Sequence, residues 1–148
     1  MRIARYTDDD LPALARLGAD AFDPPWGEDA IAGELSRDVC HALVAKDADA
    51  TIGYAIFWCV AGELSVVSVA VDPVARRRGV GSALVTEMLR IARDEEACTE
   101  GFLDVRVGNE AAIALYARHG FAPHDVRARY YADGEDAVVM RCSLTPPA

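Results

Sequence analysis

No apolar run in this chain approaches the roughly 20 residues that a helical membrane span requires, and charges or turns interrupt every hydrophobic stretch. The opening Met1-Arg-Ile-Ala-Arg-Tyr-Thr7 lacks the apolar segment of a secretory signal, so a cytoplasmic protein is expected. Cysteine is sparse: Cys40, Cys59, Cys98 and Cys142 form no C-x-x-C pair and have no histidine at zinc spacing. That argues against a structural metal or a disulfide framework and for reduced, mostly buried thiols. Repeats, linkers and low-complexity tracts are missing; only Thr145-Pro-Pro-Ala148 reads as a loose tail. Basic residues are outnumbered, 15 Lys and Arg against 24 Asp and Glu, for a formal net charge of −9. Such a balance speaks against direct nucleic-acid binding and favours a cationic partner drawn by long-range attraction.

What is present suits one folded unit. The 148 residues are 52% apolar and 26% charged, ordinary globular values that allow a single domain over residues 1–148 with its own core. Arg2–Tyr6 reads as a short strand. Thr7-Asp-Asp-Asp10 gives a cap and an acidic first turn to a helix striped by Leu11, Leu14, Ala15 and Leu17. Asp23-Pro-Pro-Trp-Gly27 breaks that helix, and a second runs from about Glu28 to Ser36. His41–Lys46 and Thr51–Val60 read as antiparallel strands about the turn Asp47–Ala50, and Glu63–Val71 as a strand too apolar to face solvent. A long helix from Gly79 to about Cys98 carries Leu84, Met88 and Ile91 at core spacing. Gly101–Val107 is a strand and Asn109–His119 a helix stopped by Gly120. Phe121–Arg129 and Ala137–Cys142 finish as a strand pair around Asp133-Gly134. The order is βααβββαβαββ.

One stretch carries chemistry of its own: Val69-Ala-Val-Asp-Pro-Val-Ala-Arg-Arg-Arg-Gly-Val-Gly-Ser-Ala-Leu-Val85. A β-branched strand ends at Asp72-Pro73, a basic glycine-punctuated turn follows, and a helical pattern opens at Gly79. Free backbone N–H groups converge at such a helix start, backed by the positive end of the helix dipole, so the turn is a candidate anion site. Gly79 and Gly81 would let the backbone approach a phosphate. The turn lacks the Lys-Ser/Thr ending of a nucleotide P-loop and the third glycine of a dinucleotide fingerprint. Against the acidic background, Arg76, Arg77 and Arg78 suit a polyanionic ligand; a solvated charge run is the alternative and fits at least one of them.

Arg76-x-x-Gly79-x-Gly81 resembles the pyrophosphate-binding turn of the GCN5-related N-acetyltransferases (GNAT family), which hold acetyl-coenzyme A. Leu103-Asp-Val-Arg-Val-Gly-Asn-Glu-Ala-Ala-Ile-Ala-Leu-Tyr-Ala-Arg-His-Gly-Phe121 resembles the family's second signature, Asn-x-Ala-Ala-Ile-x-Leu-Tyr-x-x-x-Gly-Phe. Pro25-Trp26, Ala112-Ile-Ala-Leu-Tyr116, and Arg129-Tyr-Tyr131 with Glu135-Asp-Ala137 are similar to the RimI-type ribosomal-protein N-terminal acetyltransferases within that family, so the likeness runs from residue 25 to 140. It implies an α/β (α+β) GNAT fold: a mixed, mostly antiparallel central sheet of about seven strands flanked by four helices. It also implies acetyl-coenzyme A as cosubstrate and no metal.

The resemblance assigns roles residue by residue. The backbone of Val69, Ala70 and Val71 would hydrogen-bond the pantetheine and polarise the thioester carbonyl, and the amides from Arg77 through Val80 and Gly81 to Ser82 would hold the pyrophosphate. Tyr116 would protonate the departing thiolate; a core aromatic is its alternative reading. Asn109 would touch the pantetheine arm, although helix capping alone explains an asparagine there. Asp104 stands where RimI-type enzymes place a glutamate as general base, one methylene shorter, and would act through a bridging water; a strand carboxylate paired to Arg106 is the alternative. Glu63 and Glu110 are fallback carboxylates. Trp26, Tyr130 and Tyr131 would form a peptide-facing wall or pack as core or lid. The stretch from Tyr131 to Glu135 is shorter than in the best-known members. His41, His119 and His124 share no spacing with a nucleophile and receive no role.

The leading expectation is transfer of acetyl from acetyl-coenzyme A to the N-terminal amine of a protein, a ribosomal and cationic one by the resemblance. Acetylation of a small amine or a lysine on the same fold, and a non-catalytic acyl-coenzyme A-binding module, are the alternatives.

Overall fold

Alternating apolar residues on seven strands leave both faces of one sheet in need of cover, and the four helices divide that work. In the computed structural model, which describes residues 1–19 and 25–145, the chain runs β1 (Arg2–Arg5), α1 (Leu11–Leu17), α2 (Glu28–Leu35), β2 (Cys40–Asp47), β3 (Ala50–Val60), β4 (Glu63–Val71) and α3 (Val80–Arg90). It continues through β5 (Glu100–Arg106), α4 (Glu110–Arg118), β6 (Ala122–Arg127) and β7 (Ala137–Ser143). The strand order is β1-β2-β3-β4-β5-β7-β6, and among the described residues only β4 and β5 are parallel. This is the mixed, mostly antiparallel sheet with four helices that the family resemblance implies. The proline-rich break at Asp23–Gly27 falls partly outside the described residues, as does the end of the tail.

Leu43, Phe57, Leu64, Leu84, Val85, Met88, Leu103 and Met140 form the larger core, beneath α3 and α4. On the opposite face Leu14 and Ile31, from α1 and α2, bury Val44, Tyr54 and Ile56. Stabilisation comes chiefly from removing this apolar surface from water.

Two features of β4 shape the site. Its pairing with β5 lasts only from Glu63↔Glu100 to Ser65↔Phe102, after which the strands part. Its register against β3 slips between Ile56↔Ser68 and Phe57↔Val66, so Val67 is an extra, bulged residue. A bulge bends and twists its strand. From there to Val71 the strand pairs with β3 alone and presents a free backbone edge to the gap.

The structure departs from the sequence reading in three places. The helix expected to run to Cys98 ends at Arg90 and passes into a π-turn over Ile91–Glu95, with the Glu96 amide bonded to the Ile91 carbonyl at 3.0 Å. Ala97 then takes a left-handed φ of 53° and stops it, a role the sequence does not mark with glycine. The acidic turn before α1 forms the expected cap but does more than cap: Asp10 is only 3% exposed. Its carboxylate receives the Lys46 ammonium, the Thr51 hydroxyl at 3.1 Å and the Thr7 amide at 3.0 Å. Burial pushes the Asp10 pKa up, but the hydrogen bonds from Lys46, Thr7 and Thr51 outweigh it and hold the carboxyl below its ordinary value. The strand expected over Phe121–Arg129 is shorter, Ala122–Arg127, because Phe121 turns into the core.

Candidate active site

Where β4 and β5 part, a cavity of about 940 Å³ opens toward α3 and α4, within the range of small-molecule sites. Its walls are Val69, Ala70 and Val71 of β4, the turn through Arg76 and Arg77, residues 79–82 opening α3, and Asn109, Leu115 and Tyr116 of α4.

The basic turn is held by Asp72, which accepts from the Val74 amide at 3.1 Å and pairs with Arg16 at 3.2 Å. Arg77 and Gly79 both take positive φ, 65° and 78°, on either side of Arg78. Alternating handedness of this kind turns successive N–H groups toward one point, an anion-binding nest. Gly79 then begins α3 with no side chain capping it, which leaves the first-turn amides of Val80, Gly81 and Ser82 without intrahelical acceptors. The two glycines differ from the expectation that both leave room for a phosphate. Gly79 is needed for its backbone angle, with open space where a Cβ would lie. A Cβ on Gly81 would lie 3.2 Å from Leu115 Cδ2 and 3.7 Å from Val71 Cγ2, so that glycine brings α3 against α4 and β4. Of the three arginines, Arg76 and Arg77 line the cavity; Arg78 turns aside to pair with Asp47 at 3.2 Å.

Tyr116 is 8% exposed, with its ring edge-on to Phe121 at 5.7 Å. Among the described residues no fully buried side-chain oxygen lacks a partner, and no partner is found for this hydroxyl, so it opens to the cavity it lines. Burial, reinforced by Tyr54, pushes its pKa well above the ordinary phenol value. Asn109 caps α4 by accepting from the Ala112 amide at 3.1 Å, and it also lines the cavity.

Asp104 lies on the other face. Alternation along β5 sends Leu103 and Val105 into the core beneath α3 and α4 and turns Asp104 the opposite way. There it borders a second cavity of about 430 Å³ with Glu63, Ser65, Val66, His124 and Asp125. Its partner is Arg127, whose Nε is 3.4 Å away; the carboxylate charge raises the pKa of the nearby Tyr130. The alternative pairing to Arg106 is replaced, since Arg106 bridges Asp133 at 2.8 Å and Glu135 at 3.0 Å. Arg106 also lies 4.0 Å over the Tyr131 ring, and Tyr131 meets Tyr130 edge-on at 5.1 Å. Glu135 accepts from the Gly108 amide at 2.9 Å, tying the short Tyr131–Glu135 turn to the start of α4. The tyrosine pair is thereby fixed beside Asp104. Trp26 lines neither cavity and packs on the α1–α2 cluster. Of the fallback carboxylates, Glu63 shares the second cavity and Glu110 lines neither.

Sequence reasoning did not single out Arg118 and gave His119 no role. Arg118 lines the first cavity, and His119 Nε2 lies 2.8 Å from Ser82 Oγ. Residues 115, 118 and 119 stand at i, i+3 and i+4 on one helix face, a spacing that marks them as neighbours of the Leu115 wall. Among the described residues no group of three or more His, Cys, Asp or Glu is placed to hold a metal, and no helix is long and apolar enough to cross a membrane.

The acetyltransferase (GNAT) family model matches residues 8–121. The chain is 35% identical to the N-alpha-acetyltransferase RimI of Mycobacterium tuberculosis, over 99% of this chain and 94% of that one. It is 38% identical to an uncharacterised protein of Mycobacterium leprae, of which it spans 40% while 94% of this chain is matched. Among solved structures, the ribosomal-protein-S18-alanine N-acetyltransferase from Escherichia coli superposes with a TM-score of 0.87 at 30% identity, covering 99% of this chain and 96% of that one.

Proposed function

The chain belongs to the GNAT family of acetyltransferases, and from that premise we propose that it acetylates the N-terminal α-amine of a protein, with acetyl-coenzyme A as the acetyl donor. The observation that carries the donor site is the free edge of β4 running into an uncapped helix start. Among the described residues the backbone groups of Val69, Ala70 and Val71 meet no neighbouring strand on the cavity side, which suits the amides of a pantetheine arm. Beyond them the Arg77–Ser82 amides, with Arg76 and Arg77, suit a pyrophosphate.

The two halves of the chemistry lie on opposite faces of the sheet. On the donor side Tyr116 keeps its proton through the neutral range and is placed to donate to the departing sulfur. On the far side Asp104, steadied by Arg127, takes the amine's proton through a water. An α-amine has a pKa of about 7.7–8.0, so roughly a tenth is already neutral at pH 7, whereas a lysine at about 10.4 is almost wholly charged. A short carboxylate acting through water suits the former.

Likeness to enzymes named for ribosomal protein S18 and for N-alpha-acetylation supports a protein terminus as acceptor. The carboxylates of Glu63, Asp104 and Asp125 around the second cavity suit a cationic peptide, and a ribosomal-protein substrate suits a cytoplasmic enzyme. Incubating the purified protein and acetyl-coenzyme A with a peptide library, then mapping acetyl groups by mass spectrometry, tests the proposal. Acetylation at free N-termini supports it, and modification confined to lysines or to small amines contradicts it.

A further inference from the structure

Ser82, in the opening turn of α3 and lining the first cavity, meets His119, which closes α4. His119 occupies an unspecified position of the second signature, so the resemblance predicts nothing for it. We propose that His119 is a positioning residue for the coenzyme: its ring N–H donates to Ser82 Oγ and thereby frees the Ser82 hydroxyl to donate to a coenzyme phosphate. The inference rests on assigning this cavity to acetyl-coenzyme A.

The argument is one of donor counting. A neutral imidazole has one N–H and one bare nitrogen, and a serine hydroxyl has one donor and two lone pairs. At the 2.8 Å contact two arrangements exist. If Nε2 is bare, Ser82 spends its only hydrogen on the ring and turns lone pairs toward the cavity, which repels an anion. If Nε2 carries the hydrogen, Ser82 accepts from the ring and its own O–H points into the cavity, beside the first-turn amides. Burial, with the neighbouring Arg118 charge, holds the His119 pKa below its ordinary value, so the ring is neutral near pH 7 and both arrangements are open to it. An anion in the nest selects the second. The contact also ties α3 to α4, the two walls that Gly81 lets approach each other. A donor set that serine could not supply alone results from one residue on each wall.

Two measurements test this. In the first, ¹⁵N-edited NMR follows the ring nitrogens of His119 in the wild-type protein with and without coenzyme A. The Nε2–H tautomer should dominate the complex; a bare Nε2 in the complex overturns the proposal. In the second, calorimetry measures coenzyme A binding to Ser82→Ala, His119→Leu, the double variant and His119→Gln. A hydrogen bond to a charged phosphate predicts about tenfold weaker binding for Ser82→Ala. His119→Leu, which keeps the hydroxyl but no longer holds it toward the phosphate, should lose a smaller, measurable part of that affinity. The double variant should be no weaker than Ser82→Ala alone, because both act through one bond, and His119→Gln, which keeps a donor, should recover part of the loss. Unchanged affinity in His119→Leu, or losses that multiply in the double variant, overturn the role of His119. Wild-type protein that does not bind coenzyme A at all overturns instead the assignment of the cavity.

Discussion

Arg127 on β6 reaches Asp104 on β5 at 3.4 Å, and the two strands are not neighbours: β7 lies between them. The ion pair therefore crosses a strand on the open face of the sheet and fixes the carboxylate where the strands part. If Asp104 relays a proton through water, Asp104→Asn lowers kcat/KM, and the deficit shrinks as pH rises through the pKa of the amine, which then loses its proton unaided. Asp104→Glu, one methylene longer, keeps or raises activity. Rate–pH profiles on an N-terminal peptide check both; an Asn variant that matches wild type throughout transfers the base role to Glu63, the other carboxylate of that cavity suggested by the sequence.

Tyr116→Phe keeps the ring that packs on Phe121 and removes only the hydroxyl facing the cavity. It should lower kcat by roughly 10²–10⁴ and leave coenzyme affinity nearly unchanged. Steady-state kinetics beside calorimetry separate the two effects. Full activity would make Tyr116 a packing residue.

The arginine turn should divide as the structure divides it. Arg76→Ala combined with Arg77→Ala should weaken coenzyme A binding by about tenfold or more and flatten its dependence on salt, since screened attraction to the phosphates is lost. Arg78→Ala, whose charge meets Asp47 at the surface, should change binding by less than about twofold. Calorimetry at two salt concentrations distinguishes these outcomes, and equal losses for all three arginines would contradict the assignment.

Asp10 and Lys46 make a stability prediction. Lys46→Met removes one partner of a buried ion pair and should cost about 3–5 kcal/mol. The Asp10 carboxyl lies below its ordinary value in the folded protein. Its contribution is thus present above the unfolded value of about 3.9 and is lost as pH falls through the folded pKa. Urea unfolding across pH should show wild-type stability falling more steeply on the acid side than that of the variant.

Much of this fold is written in local pattern. Glu63–Val71 appears where its valines predict, and the Arg-Gly turn lines the cavity. What escaped the sequence depends on contacts between distant segments. The burial of Asp10 requires Lys46 and Thr51 from two other elements. The partner of Asp104 is set by β6, β7 and β5 register, which no spacing encodes. The π-turn over Ile91–Glu95 carries good helix formers, so propensity alone extends α3 through it. Gly81 looks like a phosphate glycine by motif, yet its missing Cβ serves Leu115.

The central claim, transfer to an α-amine, is tested most directly by one competition. Two peptides of identical sequence are mixed with the enzyme and acetyl-coenzyme A, one with a free N-terminus and an acetylated lysine, the other with the N-terminus blocked and the lysine free. Mass spectrometry gives the ratio of their kcat/KM values. The account predicts a ratio of at least about 10² in favour of the free N-terminus, following the difference in neutral amine at pH 7. A ratio near one, or a preference for lysine, would contradict it.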